Sequence, residues 1–252
     1  MTVRRRIAAR VELALAALTV SAVVEAAEIR VLSTVGVQPA TPEIVAQFEG
    51  ATGHRIAVTY GLAAVLKTKF LEGEPADVLI LTSPIVDDLV RQGKVTPGSK
   101  VDIARSGVGV GVKAGAPKPD ISTPEALKNA VLAAKSIGYS QAGASGVAFA
   151  RVLERLGIAE QAKAKYRDTG TRAGEMLASG EIELGAAQIP ELMAVPGVEV
   201  VGPLPADLQT ITIFSVGLAT EAREAAAAKA FIQFLSGPRA APVYKATGLA
   251  GP

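Results

Sequence analysis

From Glu28 onward the chain alternates short apolar runs with stretches in which apolar residues return every three or four positions, the pattern of an α/β protein with mostly parallel strands. Strands are predicted over Glu28–Leu32, Arg55–Tyr60, Asp77–Leu81, Gly107–Lys113, Ser136–Tyr139, Glu183–Ala187, Val198–Val201 and Thr210–Leu218. Helix signals fill the gaps. Thr41-Pro42-Glu43 supplies a cap, a proline for the first turn and an acid at the positive end of the dipole, with Ile44, Val45 and Phe48 as the buried stripe and Gly50 as the stop. Thr123-Pro124-Glu125 repeats that start. Ser145 is placed to cap a helix whose Phe149, Val152, Leu153 and Leu156 share one face and which Gly157 ends. An Ala-rich helix over Glu221–Leu235 and a helical segment after Gly237-Pro238 close the chain.

Before Glu28 the pattern changes. Arg4-Arg5-Arg6 is followed by an Ala/Val/Leu-rich stretch to Val24 and then by Glu25-Ala26-Ala27, the positive, apolar and small-residue order of a secretory signal peptide. The apolar run from Val11 to Val24 is short for a bilayer crossing. Residues 1–26 are therefore read as removed on export to the periplasm, the alternative being a surface or anchor helix.

Composition then narrows the chemistry. With 252 residues, 49% of them hydrophobic, the chain can bury a real core. The absence of Cys excludes disulfide frameworks, thiolate zinc sites and cysteine nucleophiles. The single histidine, His54, leaves no two-histidine metal motif and falls in a Thr-Gly-His turn between helix and strand. Neither a metal nor a cofactor is expected. The formal charge of +2 belongs to the leader, because the chain without residues 1–26 carries 22 basic and 22 acidic residues. Lys67, Lys69, Arg151 and Arg155 read as solvated helix faces, and no nucleic-acid partner is expected.

Three segments resemble the periplasmic solute-binding proteins of ABC importers, in the branch that includes the molybdate binders. They are Pro42–Glu49 followed by Thr52-Gly53-His54-Arg55-Ile56, then Gly73-Glu74-Pro75-Ala76-Asp77-Val78 with the helix Ile85–Gly93, and Glu175–Gly185 with its Ser179-Gly180-Glu181. The resemblance implies a two-lobed type II periplasmic-binding-protein fold. Residues 27–106 plus 210–252 form lobe one, residues 107–209 form lobe two, and the crossover hinges lie near Ser106 and Gln209. A ligand would lie between the lobes, outside the carboxyl ends of the strands.

The departures bear on the ligand. In molybdate binders, hydroxyls from two serines and a tyrosine hold the oxyanion; matched residue by residue, those positions fall on Gly36, Ala63 and Gln188. Each charge-assisted bond is worth about 1.5–3 kcal/mol, so the resemblance argues against molybdate. Ser33 and Thr34 at the first strand end, and Thr82 and Ser83 after the third predicted strand, are read as ligand contacts or as plain strand-end and capping residues. Gly143-Ala144-Ser145-Gly146 offers close backbone approach and an anion cradle. Arg105 and Arg172 are the candidate cations for a carboxylate, Arg172 because it opposes the field of the helix it starts, with a solvated surface position the alternative for each. Gln188, Ile189 and Tyr60 complete the candidate lining.

The expectation is a monomeric periplasmic binder that captures a small organic anion and passes it to an inner-membrane ABC permease. The rival is an enzyme, since the scaffold also resembles that of periplasmic aconitate isomerase. Proton transfer on a tricarboxylate would need a base such as Glu191, a Lys or a Tyr, and no motif names it.

Overall fold

A computed structural model of the chain describes residues 26–252, so the export segment read in residues 1–26 lies outside the described residues except for Ala26. The strands are β1 (Glu28–Thr34), β2 (Arg55–Gly61), β3 (Val78–Thr82), β4 (Val101–Lys113), β5 (Ile137–Tyr139), β6 (Tyr166–Asp168), β7 (Leu184–Gln188), β8 (Val198–Pro203) and β9 (Ile211–Leu218). The helices are α1 (Thr41–Thr52), α2 (Ala63–Leu71), α3 (Ser83–Arg91), α4 (Pro124–Ala133), α5 (Ala144–Arg155), α6 (Ala159–Lys163), α7 (Ala173–Ser179), α8 (Ile189–Met193), α9 (Ala225–Leu235) and α10 (Ala240–Ala246). A 3-10 turn, Val35–Val37, follows β1.

The strands run in the order β2-β1-β3-β9-β4-β7-β5-β6, with β8 also paired to β4. Pairs within the β-α-β units are parallel, β1 with β2 and β3, and β5 with β6 and β7; every pair that includes β4 or β9 is antiparallel. The fold is thus α/β with two halves. The first half of β4 pairs with β9 and the second with β7 and β8. Each half has its own apolar core. Ile29, Val31, Ile44, Phe48, Val216 and Phe231 pack together in one, and Val108, Val110, Leu127, Phe149 and Leu153 in the other.

Burial follows strand position. The central strand β3, Val-Leu-Ile-Leu-Thr, is buried on both faces and reads as a continuous apolar run, whereas the edge strand β2 alternates. In β4 the alternate glycines leave room for the helices of the second half. A Cβ at Gly109 would sit 2.7 Å from Ile189, and one at Gly111 would sit 3.0 Å from Leu177. Helices α7 and α8 therefore lie directly on β4.

Several local expectations are corrected. Ala40 and Thr82 occupy the N-cap positions expected for Thr41 and Ser83, so those two residues are the first of their helices. The Thr41 hydroxyl donates to the Val37 carbonyl at 2.9 Å, which ties the 3-10 turn to α1. Helix α1 runs through Gly50 and stops at Gly53. Gly143 takes the N-cap position expected for Ser145, while Thr123 does cap α4, accepting from the Ala126 N–H at 3.1 Å. Strand β6 and the first half of β4 were not predicted, the former because three residues carry too little pattern.

The first half is pinned by Asp77, whose side chain is fully buried. Its carboxylate accepts from the Arg30 N–H at 2.8 Å, from Arg30 Nε at 3.2 Å and from the Arg223 N–H at 2.7 Å, joining β1, β3 and the approach to α9. Burial alone would push its pKa up; the bonds from the Arg30 side chain and backbone and from the Arg223 backbone outweigh that and hold it below the usual carboxylate range. The stabilisation is therefore complete above the unfolded-state pKa, about 3.9, and is lost as falling pH protonates the folded-state carboxyl. Asp77→Ala leaves Arg30 without its buried partner and is expected to cost about 3–5 kcal/mol in urea denaturation at pH 7, with the difference from wild type shrinking in acid.

Candidate functional site

Between the two halves, at the carboxyl ends of β1, β3, β5, β6 and β7, lies a narrow cavity of about 20 Å³ that opens to solvent. Three helices of nine or more residues, α2, α3 and α5, begin at its wall, and their N-cap residues Leu62, Thr82 and Gly143 make no side-chain cap bond. Leucine and glycine have no cap acceptor to offer. The first N–H groups of a helix have no intrahelical partner, so three uncapped positive dipole ends face one space. A small anion placed there would receive what the caps do not provide.

Side chains add to the backbone donors. Thr34, Ser140, Ser145, Thr169 and Gln188 line the cavity, all buried. Thr169 Oγ1 and Gln188 Oε1 are buried with no hydrogen-bond partner among the described residues. A buried polar atom left unpaired costs about 1–3 kcal/mol, so both atoms favour an occupant that pairs with them. Gln188 Nε2 donates to Thr212 Oγ1 at 2.9 Å. Because a threonine hydroxyl can also donate, the Gln188 amide can present either end to the cavity. Ser140 Oγ accepts from the Gly143 N–H at 3.0 Å and fixes the loop that delivers Ser145.

Among the described residues no Lys, Arg or His lines this cavity, and the one titratable side chain on its wall is Glu191 on α8. The carboxyl lies near the 3-10 turn of the other half, with Oε1 3.6 Å from the position a Cβ on Gly36 would take. It makes no ion pair or hydrogen bond with the described residues. Burial, and then the like charge of Glu175 on α7, push its pKa up to about 7. Such a group exchanges a proton readily near neutrality. Among the described residues no cluster of three His, Cys, Asp or Glu is placed to hold a metal ion.

Of the contacts and the base named from the sequence, Thr34, Thr82, Gly143, Ala144, Ser145, Gln188 and Glu191 line the cavity. The others lie elsewhere. Ser33 is buried inside β1 and its hydroxyl turns to the Thr34 carbonyl. Tyr60 stands on β2, where burial raises its phenol and a hydrogen bond with Thr41 opposes the rise. Ser83 Oγ accepts from Lys100 Nζ at 2.7 Å. Gly146 serves packing, since a Cβ there would fall 1.8 Å from the Ser140 carbonyl oxygen. Ile189 packs on Gly109. The two expected cations are both exposed and outside the cavity: Arg105 bonds through its backbone to Ala250, and Arg172 starts α7. Thr169 was missed because it ends β6, the strand that sequence pattern did not reveal.

The three positions where the resemblance placed hydroxyls, Gly36, Ala63 and Gln188, all line the cavity. At Gly36 the space is occupied, because a Cβ there would sit 2.6 Å from Phe214 Cζ. The ring of Phe214, from β9, fills the wall where a serine would stand.

Comparison with known proteins agrees with this architecture. The sequence profile of bacterial extracellular solute-binding proteins matches residues 29–250. An aconitate isomerase from a Pseudomonas species is 34% identical over 226 residues, covering 87% of this chain and 86% of the relative. The molybdate-binding protein ModA of Azotobacter vinelandii is 26% identical over 95% of this chain and 96% of its own. The solved structure of the Azotobacter vinelandii periplasmic molybdate-binding protein superposes with a TM-score of 0.77 at 22% identity, over 89% of this chain and 99% of that one.

The contact between Gly36 and Phe214 is testable without any ligand. Gly36→Ser is expected to destabilise the protein by about 1–3 kcal/mol through overpacking. In combination with Phe214→Leu the cost should fall below the sum of the single variants, read as a coupling energy in urea denaturation.

Proposed function

The chain belongs to the bacterial extracellular solute-binding proteins and has their molybdate-binder-like type II periplasmic fold, and from that premise we propose that it is exported, captures a small organic anion and delivers it to an inner-membrane ABC permease. The observation that carries this reading is the convergence of three uncapped helix N-termini, with the unpartnered Thr169 Oγ1 and Gln188 Oε1, on one cavity without a cation. Neutral dipoles hold the charge, and the preference for an organic acid over molybdate rests on the wall. Gly36 and Ala63 supply no hydroxyl, and the Phe214 ring presents an apolar surface suited to a carbon skeleton. Thr34, Thr82, Ser145, Thr169 and Gln188 are the proposed ligand contacts.

The two halves act in this proposal as lobes, residues 27–106 with 210–252 and residues 107–209, which close about the β4 and β9 crossing once the ligand joins contacts from both. The protein works as a monomer. A thermal-shift panel tests the ligand class. Tricarboxylates and dicarboxylates should raise the melting temperature while molybdate, tungstate and sulfate do not, and stabilisation by molybdate or tungstate alone would overturn the reading. Ser145→Ala and Thr169→Val should each weaken the stabilising acid about tenfold in calorimetric titration, the worth of one hydrogen bond to a charged group.

A second reading, proton transfer on a bound tricarboxylate, is favoured by one observation. Glu191 is an unpaired carboxyl at the cavity wall with its pKa raised to about 7, the range suited to a base at neutral pH. It would take a proton from one allylic carbon and return it to the other, so the double bond moves with no redox change. Incubation with trans-aconitate, followed by NMR for the cis isomer, distinguishes the two. Turnover beyond one equivalent that Glu191→Gln abolishes supports the isomerase, whereas binding without conversion supports the carrier.

A further inference from the structure

We propose that capture is proton-linked: the anionic ligand enters the cavity together with one proton carried on Glu191, whose neutral carboxyl then donates a hydrogen bond to it. The inference rests on the reading of this cavity as the anion site and goes beyond it by assigning the condition under which the site accepts charge.

The argument is one of electrostatics in a confined space. An anion between uncapped helix ends gains from dipoles that point the same way, but an ionised Glu191 on the same wall would repel it at short range in a medium of low dielectric. Two carboxylates that share a site do not both stay ionised. Among the described residues no partner absorbs the second charge. Glu191 has no ion pair among the described residues, and none of the residues that share the cavity wall with it is basic.

The surroundings of α8 are equally poor in compensation. The 3-10 turn and β7 face it with no titratable side chain; α7 brings Glu175, a like charge, and at its N-cap Arg172, which is exposed and makes no ion pair among the described residues. On β8, Glu199 is held by Lys118 at 2.8 Å. On β4, Asp102 lies 3.9 Å from Lys100, Arg105 is exposed beside Ala250, and Lys113 lies beside Gly180. The remaining way to accept an anion is to neutralise Glu191, and its raised pKa makes that proton available near neutral pH.

The site also opens to solvent for this exchange. A groove of about 310 Å³, lined by Gln38, Pro39, Thr171, Glu175 and Val195, meets the inner cavity at Val35, Ala173 and Glu191. Glu191 thus stands where an entering ligand passes from groove to cavity, in reach of solvent before closure.

The test uses tricarballylate, a saturated tricarboxylate that cannot isomerise and is fully ionised above pH 7. Calorimetric titration at pH 7 and pH 8.5, each in two buffers of different ionisation enthalpy, should show affinity about tenfold lower at the higher pH, with proton uptake of about one half per ligand at pH 7 rising towards one at pH 8.5. Glu191→Gln should bind with equal affinity at both and take up no proton. Glu175→Gln, which leaves the inner wall intact, should move the loss of affinity to lower pH. Equal wild-type affinity at both pH values with no proton uptake would overturn the proposal.

A ligand-free arm separates this inference from the ligand reading. Because the folded-state carboxyl is raised above its unfolded value, its contribution to stability is present in acid and lost as pH rises towards and through about 7. The melting temperature of Glu191→Gln should therefore exceed that of wild type by more at pH 8 than at pH 5. If tricarballylate and the rest of the acid panel fail to bind but this difference is found, the organic-acid reading fails and the proton site stands; without the difference, the proposal fails whatever binds.

Discussion

Everything about the cavity depends on two strands. β4 and β9 cross side by side from one half of the sheet to the other, with Ser106 against Thr212 and Gly107 against Ile211. The halves have separate cores, and besides this antiparallel ladder they meet where α8 packs on the 3-10 turn and where Met193 lies against Gly248. Gln209 strengthens it where the ladder ends: its side-chain amide accepts from the Val108 N–H at 2.9 Å and donates to the Val108 carbonyl at 3.0 Å, as a neighbouring strand would. The crossing also furnishes part of the cavity wall through Phe214, while Thr212 holds Gln188. One wall of the cavity is therefore formed by the strand pair that joins the two halves.

The second constraint is charge without cations. Local sequence logic looks for an arginine opposite an anion, because a guanidinium matches a carboxylate in geometry and charge. This chain places its arginines outside the wall and turns helix ends, hydroxyls and an amide inward. Fixed dipoles of this kind are directional, unlike a mobile charged side chain. They also leave a lone carboxyl such as Glu191 with unusual influence, since no neighbouring positive charge dilutes its effect.

Most of the scaffold was legible from the sequence. The strong alternation of short apolar runs and amphipathic stretches located eight of the strands, and Thr123-Pro124 marked the start of α4 as capping chemistry requires. What failed to appear has physical causes. β6 spans only Tyr166–Asp168, too short to show a period, and so Thr169 at its end was invisible as a wall residue. The caps at Ser83 and Ser145 were misplaced by a residue or two because hydroxyls were assumed to serve their own helix. In the cavity the helix ends stay uncapped, and Ser145 in the first turn of α5 lines the wall. Arg105 and Arg172 lie exposed and outside the cavity, because charge in a sequence carries no direction.

The packing of Phe214 against Gly36 has a consequence for how such a site changes over evolutionary time. The two residues are far apart in the chain, and each excludes the usual alternative at the other: a serine at position 36 collides with the ring, and a smaller residue at position 214 leaves a void beside the bare glycine. A lineage passing between an apolar wall and a hydroxyl-lined one would have to alter both, and either single step costs stability before any new ligand contact exists. Diversification of ligands on this scaffold is thereby gated by the stability margin of the intermediate sequence, and lineages with stability to spare are the ones free to cross.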